Sequence, residues 1–178
     1  MFAGKSTVAV TRVRRARILG WKTFVITSAL DTRYESAAFS IKTHDRDGVP
    51  AVGISKLHDV LTFGDFLSAN MIVIEEAQFF PDLYEFVKKA VEVYQKTVVV
   101  VGLDGDSERK PFGQILELIP IADTVTKLSA LCKRCGDGSP AVFTALVKAG
   151  SKQEQVYVGG SETYEAMCRK HYTINTSV

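Results

Sequence analysis

Residues 71–80 read Met-Ile-Val-Ile-Glu-Glu-Ala-Gln-Phe-Phe, and no other stretch restricts the fold as tightly. Met71, Ile72, Val73 and Ile74 are apolar without alternation, the pattern of a strand covered on both faces. The run stops at two adjacent carboxylates, Glu75 and Glu76. Open α/β sheets bind ligands in the crevice outside the carboxyl ends of their strands. A covered strand ending in two acids therefore places charge where such a sheet does its chemistry. Successive residues leaving a strand point in opposite directions. Glu75 then fits a Mg²⁺-side acid, and Glu76 is left to take a proton from an attacking hydroxyl. The competing reading is a charged turn at a strand end.

The chain opens with Gly4-Lys5-Ser6-Thr7, the second half of a phosphate-binding loop. Gly4 lets backbone approach a phosphate, and the N–H groups that begin the following helix meet the anion with the helix dipole. Lys5 would neutralise β/γ-phosphate charge and the Ser6 hydroxyl would sit on Mg²⁺. A complete loop has another Gly five residues before Gly4, which falls ahead of Met1, and the strand leading into it is expected there too. Either the natural protein starts upstream or the loop reading fails. Asp31-Thr32-Arg33 follows the next strand-like run: Arg33 there can stabilise a transferring phosphoryl group and Asp31 can join the Mg²⁺ shell. A surface salt bridge explains the same residues equally well.

The order of elements supports an α/β domain. Ala9, Val13, Ala16 and Leu19 mark one helix face over residues 5–19, stopped by Gly20. Residues 22–27 are strand-like, and residues 31–52 are polar and poorly periodic, expected as a long functional loop. Short elements at 51–54 and 63–69 precede the central strand. Pro81-Asp82 starts a helix with Leu83, Phe86, Val87, Ala90 and Val91 on its buried face. Residues 97–101 form another strand covered on both sides, followed by a helix at 114–119 and a strand at 124–128. Helix and strand alternate, the pattern of a mostly parallel sheet. Beyond Ser129 turn residues and cysteines take over, and β-like runs at 142–147 and 155–158 imply a hairpin in a second, smaller lobe.

Cys132-Lys133-Arg134-Cys135 and Cys168-Arg169-Lys170-His171 pair C-x₂-C with C-x₂-H. Four zinc-compatible ligands in two pairs suit a closed, structural tetrahedral site. A redox dithiol is the alternative, and it leaves Cys168 and His171 without a task. Three cysteines do not make a disulfide framework. With no signal-peptide pattern and no apolar run near the ~18 residues that span a bilayer, a reducing, cytoplasmic setting is expected. A net charge of +2 with 24% charged residues carries no nucleic-acid signature. The densest basic patch, Arg12, Arg14, Arg15 and Arg17, reads as an anion contact or as the solvated face of an amphipathic helix. Phe79, Phe80, Phe112, Tyr157 and Tyr164 are core for at least half, the rest being available to stack on a base.

Taken in order, Gly-Lys-Ser-Thr, Asp-Thr-Arg-Tyr, Thr-His-Asp-Arg, Glu-Glu-Ala-Gln-Phe-Phe-Pro-Asp, Leu-Asp-Gly-Asp-Ser-Glu-Arg-Lys-Pro-Phe-Gly, the Cys/His pairs and Val-Gly-Gly-Ser-Glu-Thr-Tyr closely resemble the type II, cytosolic-type thymidine kinases over nearly the whole chain. The resemblance implies an α/β fold: a P-loop-type, mostly parallel sheet flanked by helices (residues 1–129) with a zinc-binding lobe carrying a lasso-like hairpin (residues 130–178). It implies transfer of the ATP γ-phosphate to the 5′-hydroxyl of thymidine with Mg²⁺, in a homotetramer inhibited by thymidine triphosphate. It makes Glu76 the general base, with Lys5 and Arg33 also catalytic. It sets Gly4, Lys5, Ser6, Thr7, Asp31, Thr32, Arg33, Glu75 and Gln78 around the nucleotide, and Cys132, Cys135, Cys168 and His171 around zinc. The lasso carries over to Gln155, Val156, Tyr157, Val158 and Gly159, with Tyr164 beside it. Met1, Phe79, Leu103, Ser107, Phe112 and Thr144 line the base pocket. Two residues depart from the family pattern: Glu75 where Asp is common, and Ser107 where Phe is usual. Rival readings are a broader deoxynucleoside kinase, a P-loop hydrolase, and a zinc-stabilised nucleotide-binding module without catalysis.

Overall fold

The structure, a computed structural model, describes residues 1–30, 40–42, 48–147 and 162–176. The covered run at 71–74 is strand β5 (Met71–Glu75), with all five residues buried. It sits between β1 (Thr23–Ser28) and β6 (Thr97–Val100), and β4 (Val52–Ile54) completes a parallel sheet in the order β4-β1-β5-β6. The register pairs Thr27 with Glu75 and Ile74 with Val100, so all carboxyl ends lie along one edge.

Side-chain alternation divides the core between the two faces of this sheet. Phe24, Ile26, Ile72 and Ile74 pack on one side with Leu83, Phe86, Val87 and Ala90 of α3 (Leu83–Glu92). Val25, Met71 and Val73 pack on the other with Ala9, Val10, Val13 and Ala16 of α1 (Lys5–Ile18). Each large aliphatic or aromatic side chain so buried contributes about 1.5–3 kcal/mol. Gly20, at φ 76°, ends α1: its N–H donates to Arg17 O at 2.9 Å, and Trp21 N–H donates to Ala16 O at 3.1 Å. Leu19 and Val91, expected on buried faces, are 72% and 42% exposed, because each lies beyond the stripe that meets the sheet. The arginines at 12, 14, 15 and 17 are exposed, and Arg17 Nε donates to Thr23 Oγ1 at 2.9 Å.

Other expectations need correction. Within the polar stretch 31–52, β2 (Ser40–Lys42) and β3 (Gly48–Pro50) pair as an antiparallel hairpin that supplies Ile41 and Val49 to the α1 side of the core. The helix at 114–119 is a 3₁₀ turn, Leu116–Ile121, with Pro120 inside it, where an α-helix would lose an N–H. Residues 124–128 form no strand; Val125 is 57% exposed, and β-branched composition without a neighbouring strand makes no ladder. Strand β6 pairs only with β5 among the described residues, so Val98, Val99 and Val100 are half-buried rather than covered on both sides.

Asp82 precedes α3, yet its carboxylate serves the 3₁₀ turn Leu57–Thr62. It accepts from Leu57 N at 3.2 Å, His58 N at 2.9 Å and the His58 ring at 2.8 Å. Burial pushes this carboxyl up, but those donors outweigh it and hold it below its usual value of 3.8. A lowered folded-state value contributes stability above the unfolded value, lost as pH falls through the folded one. Asp82→Asn is expected to lower Tm at pH 7 by roughly 2–4 °C, about one hydrogen bond. The gap to the wild type should close as pH falls through the lowered folded-state value of this carboxyl; thermal melts across pH check both.

Five small elements follow among the described residues. β7 (Ala130–Leu131) pairs with β8 (Pro140–Ala141), and β9 (Phe143–Leu146) pairs antiparallel with β10 (Tyr164–Met167). Helix α4 (Arg169–Thr176) follows. Among the described residues β9 pairs with β10; the run at 155–158, expected to form a hairpin with 142–147, lies outside the described residues. No helix among the described residues is long and apolar enough to cross a membrane.

Candidate active site and metal centre

The amino end of α1 and the carboxyl end of β5 meet. Gly4 occupies the left-handed region at φ 73°, which lets the chain turn directly into the helix. One residue into that helix, Ser6 Oγ donates to Glu75 Oε1 at 2.7 Å. The other carboxylate oxygen accepts from Thr27 Oγ1 at 3.4 Å, since the parallel register sets Thr27 beside Glu75. Lys5 and Ser6 are half-buried, whereas Thr7 is exposed.

Glu76 turns the other way. It too is left-handed, at φ 50° and ψ 42°, an uncommon conformation for a non-glycine residue that redirects the chain at the strand's end. Glu75 is 6% exposed and Glu76 is 8% exposed, so two neighbouring carboxylates are withdrawn from water and aimed at different partners. Gln78 Nε2 donates to Glu76 Oε2 at 2.6 Å, and Gln78 Oε1 accepts from Leu103 N at 3.0 Å. This buried amide thus joins the acid to the segment after β6. The packing around Gln78 is close: a Cβ at Gly102 would lie 2.8 Å from its side-chain Oε1, and one at Gly113 would lie 2.2 Å from its backbone carbonyl oxygen.

Residues 103–113 fold back on themselves. Gly105 bridges Pro111, Phe112 N donates to Asp104 O at 3.3 Å, and buried Asp106 accepts from Glu108 N and Lys110 N, both at 2.9 Å. The hairpin sets Phe112 edge-on to Phe79, with centroids 5.6 Å apart. Phe80, by contrast, is 1% exposed in the core. Met1 N donates to Thr144 Oγ1 at 2.7 Å, joining two residues expected at the base pocket, and half-buried Tyr164 pairs with Leu146 on the adjoining strand. Ser107 contributes its carbonyl, which accepts from Tyr172 Oη at 2.6 Å. Asp31, Thr32 and Arg33, and Gln155, Val156, Tyr157, Val158 and Gly159, lie outside the described residues.

The ligand atoms of Cys132, Cys135, Cys168 and His171 lie within 4.8 Å of one another. His171 Nδ1 is 3.5, 3.3 and 3.4 Å from the sulfurs of Cys132, Cys135 and Cys168, and the last two sulfurs are 3.7 Å apart. A tetrahedron with ~2.3 Å Zn–S and ~2.0 Å Zn–N bonds has edges of about 3.8 Å (S···S) and 3.5 Å (S···N). The four donors therefore fit one zinc ion. The Cys168 amide directed at Cys132 lowers that thiol to about 6, towards the thiolate a metal needs, while burial pushes the Cys135 thiol up to about 11.

The family model described as thymidine kinase matches residues 1–172. The chain belongs to the thymidine kinase family. It is 43% identical to the cytosolic thymidine kinase of Homo sapiens over 172 residues, 97% of this chain and 69% of that protein. Thymidine kinase a of Arabidopsis thaliana is 41% identical, covering 98% and 72%. The thymidine kinase of Vaccinia virus (strain Western Reserve) is 40% identical, covering 97% and 92%. Membership makes the chain a nucleoside kinase by family and gives the meeting of phosphate-type loop and acidic strand end a chemical context. Of the residues brought together here, Thr27, Tyr172 and the bridging position of Gln78 were not visible in sequence. The threonine's only signal was its place at the end of a strand-like run; the pairing of that run with β5 came from the structure.

Proposed function

We propose that the chain transfers the γ-phosphate of ATP to the 5′-hydroxyl of thymidine. The observation that carries this is the Ser6–Glu75 hydrogen bond, which joins the opening loop to the acidic strand end and leaves the next residue, Glu76, facing elsewhere. Lys5 and the first N–H groups of α1 would hold the phosphates. Ser6 and Glu75 present the hard oxygen donors that suit Mg²⁺, which when bound neutralises phosphate charge. Glu76 accepts the proton of the 5′-hydroxyl as that oxygen bonds to the γ-phosphorus and the bridging oxygen leaves with ADP. Arg33, with Asp31 and Thr32, adds phosphate and metal-side contacts. Gln78, assigned to the nucleotide from sequence, is better employed holding Glu76.

The base is taken by Met1, Phe79, Leu103, Phe112, Thr144 and Tyr164, with Ser107 and residues 155–159 assigned to the same task by the family resemblance. Deoxyuridine, which lacks only a methyl group, is accepted and deoxycytidine is disfavoured. Zinc fills the Cys₃His site and is structural, since all four positions are protein donors. Residues 1–129 and 130–178 act as nucleotide-binding and zinc/lasso units. The family likeness supports a cytoplasmic homotetramer inhibited by thymidine triphosphate, with no nucleic-acid or membrane partner.

The deciding assay is transfer of labelled γ-phosphate with and without thymidine. Label should appear on thymidine, with ATP turnover dependent on it. Turnover unaffected by thymidine would replace this reading with a hydrolase, and nucleotide binding without transfer would replace it with a binding module.

A further inference from the structure

Tyr172 belongs neither to the phosphate site nor to the metal ligands, yet it spans from the metal-ligand turn to the 103–113 hairpin. It follows His171 directly in α4, and its N–H donates to Cys168 O at 2.9 Å, so two metal ligands set the turn that carries it. Its ring is 3% exposed, packed against Phe143 with centroids 5.1 Å apart, so the phenol has little freedom to swing away. The hydroxyl donates to Ser107 O at 2.6 Å across 65 residues of sequence. The Arg109 guanidinium stacks over the same ring at 4.8 Å, and Arg109 itself sits at φ 68°. Both Ser107 and Arg109 belong to the hairpin whose other end presents Phe112 to Phe79.

We infer that Tyr172 is a positioning residue through which the Cys₃His centre holds the 103–113 hairpin, and with it the wall of the nucleoside pocket. The metal site then acts on substrate binding as well as on its own lobe. This rests on the reading of Phe79 and Phe112 as pocket residues. A left-handed Arg109 persists only where its surroundings over-determine it, and here its surroundings include the Tyr172 ring.

Tyr172→Phe removes the hydroxyl and keeps the ring. Metal content and Tm are expected to stay near wild type. Amide hydrogen exchange in residues 104–112 should be faster in the variant, by roughly 3–10-fold for one lost hydrogen bond. KM for thymidine should rise by a similar factor, with kcat and KM for ATP within about twofold. Chelating the metal should speed exchange in the same residues of the wild type, and by less in Tyr172→Phe. Equal exchange in variant and wild type, or equal acceleration by chelator in both, overturns the tether. Altered exchange with unchanged KM for thymidine overturns its role in positioning the pocket. A wild type that does not phosphorylate thymidine sinks the functional reading instead, and the exchange arms still decide the tether.

Discussion

Glu76→Gln is expected to lower kcat by about 10²–10⁴-fold, the usual contribution of a positioned general base. The substitution suits the question because it changes little else. Gln78 Nε2 donates to Glu76 Oε2, and a glutamine at 76 can still offer a carbonyl oxygen to that donor. The left-handed backbone at 76 and the burial of the side chain are the same for either residue. KM for thymidine and ATP should therefore stay within a few-fold, and Tm within a few degrees. The measurement is steady-state kinetics beside a thermal melt. A loss smaller than about tenfold would remove Glu76 from the chemistry and send the search for a base elsewhere. Glu75→Gln is a useful contrast: its carboxylate takes the Ser6 and Thr27 hydroxyls, so its loss should show in metal dependence.

Removal of the metal is the second large effect. The elements around the Cys₃His cluster are short: two-residue strands β7 and β8, four-residue β9 and β10, and one eight-residue helix. Their buried apolar residues are few and mostly small, with Ala130, Ala141 and Ala166 around Cys132, and Ala145, Met167 and Tyr172 beyond. Structural zinc contributes ~10–16 kcal/mol in small peptide systems, against ~5–15 kcal/mol for the net stability of a whole domain. Cys135→Ala, or exhaustive chelation, is expected to abolish protection in residues 130–147 and 162–176. Protection of β1 and β5 should persist, because their core is built from α1, α3 and the sheet. Metal analysis should give one zinc per chain before treatment. A protein without bound metal whose small strands exchange no faster after chelation would show that the thiols are not ligands.

Much of this molecule could be read before any coordinates. The acidic end of β5, the buried stripes of α1 and α3, and the Cys/His pairs follow from local rules: lack of alternation, helical spacing and ligand spacing. Errors arose where a distant neighbour decides the outcome. Residues 124–128 carry strand composition, but composition does not supply a partner. The reading of 98–100 as fully covered failed for the same reason, since burial on both faces depends on what lies beside the strand. The closeness of Ser6 and Glu75 was foreseeable because the sequence motifs assign both residues to the same side of one site. The contact between Tyr172 and Ser107 was not, because an aromatic beside a ligating histidine looks like ordinary core.

Gln78 links Glu76 to residue 103 through opposite ends of one side-chain amide, with Gly102 close to that amide and Gly113 close to the Gln78 backbone carbonyl. Anyone seeking to retune which nucleoside is taken by altering the segment after β6 will therefore disturb turnover as well as selectivity. Libraries that vary positions 78, 102 and 113 together have room to find compensated combinations. Those that change one at a time should return mostly inactive protein.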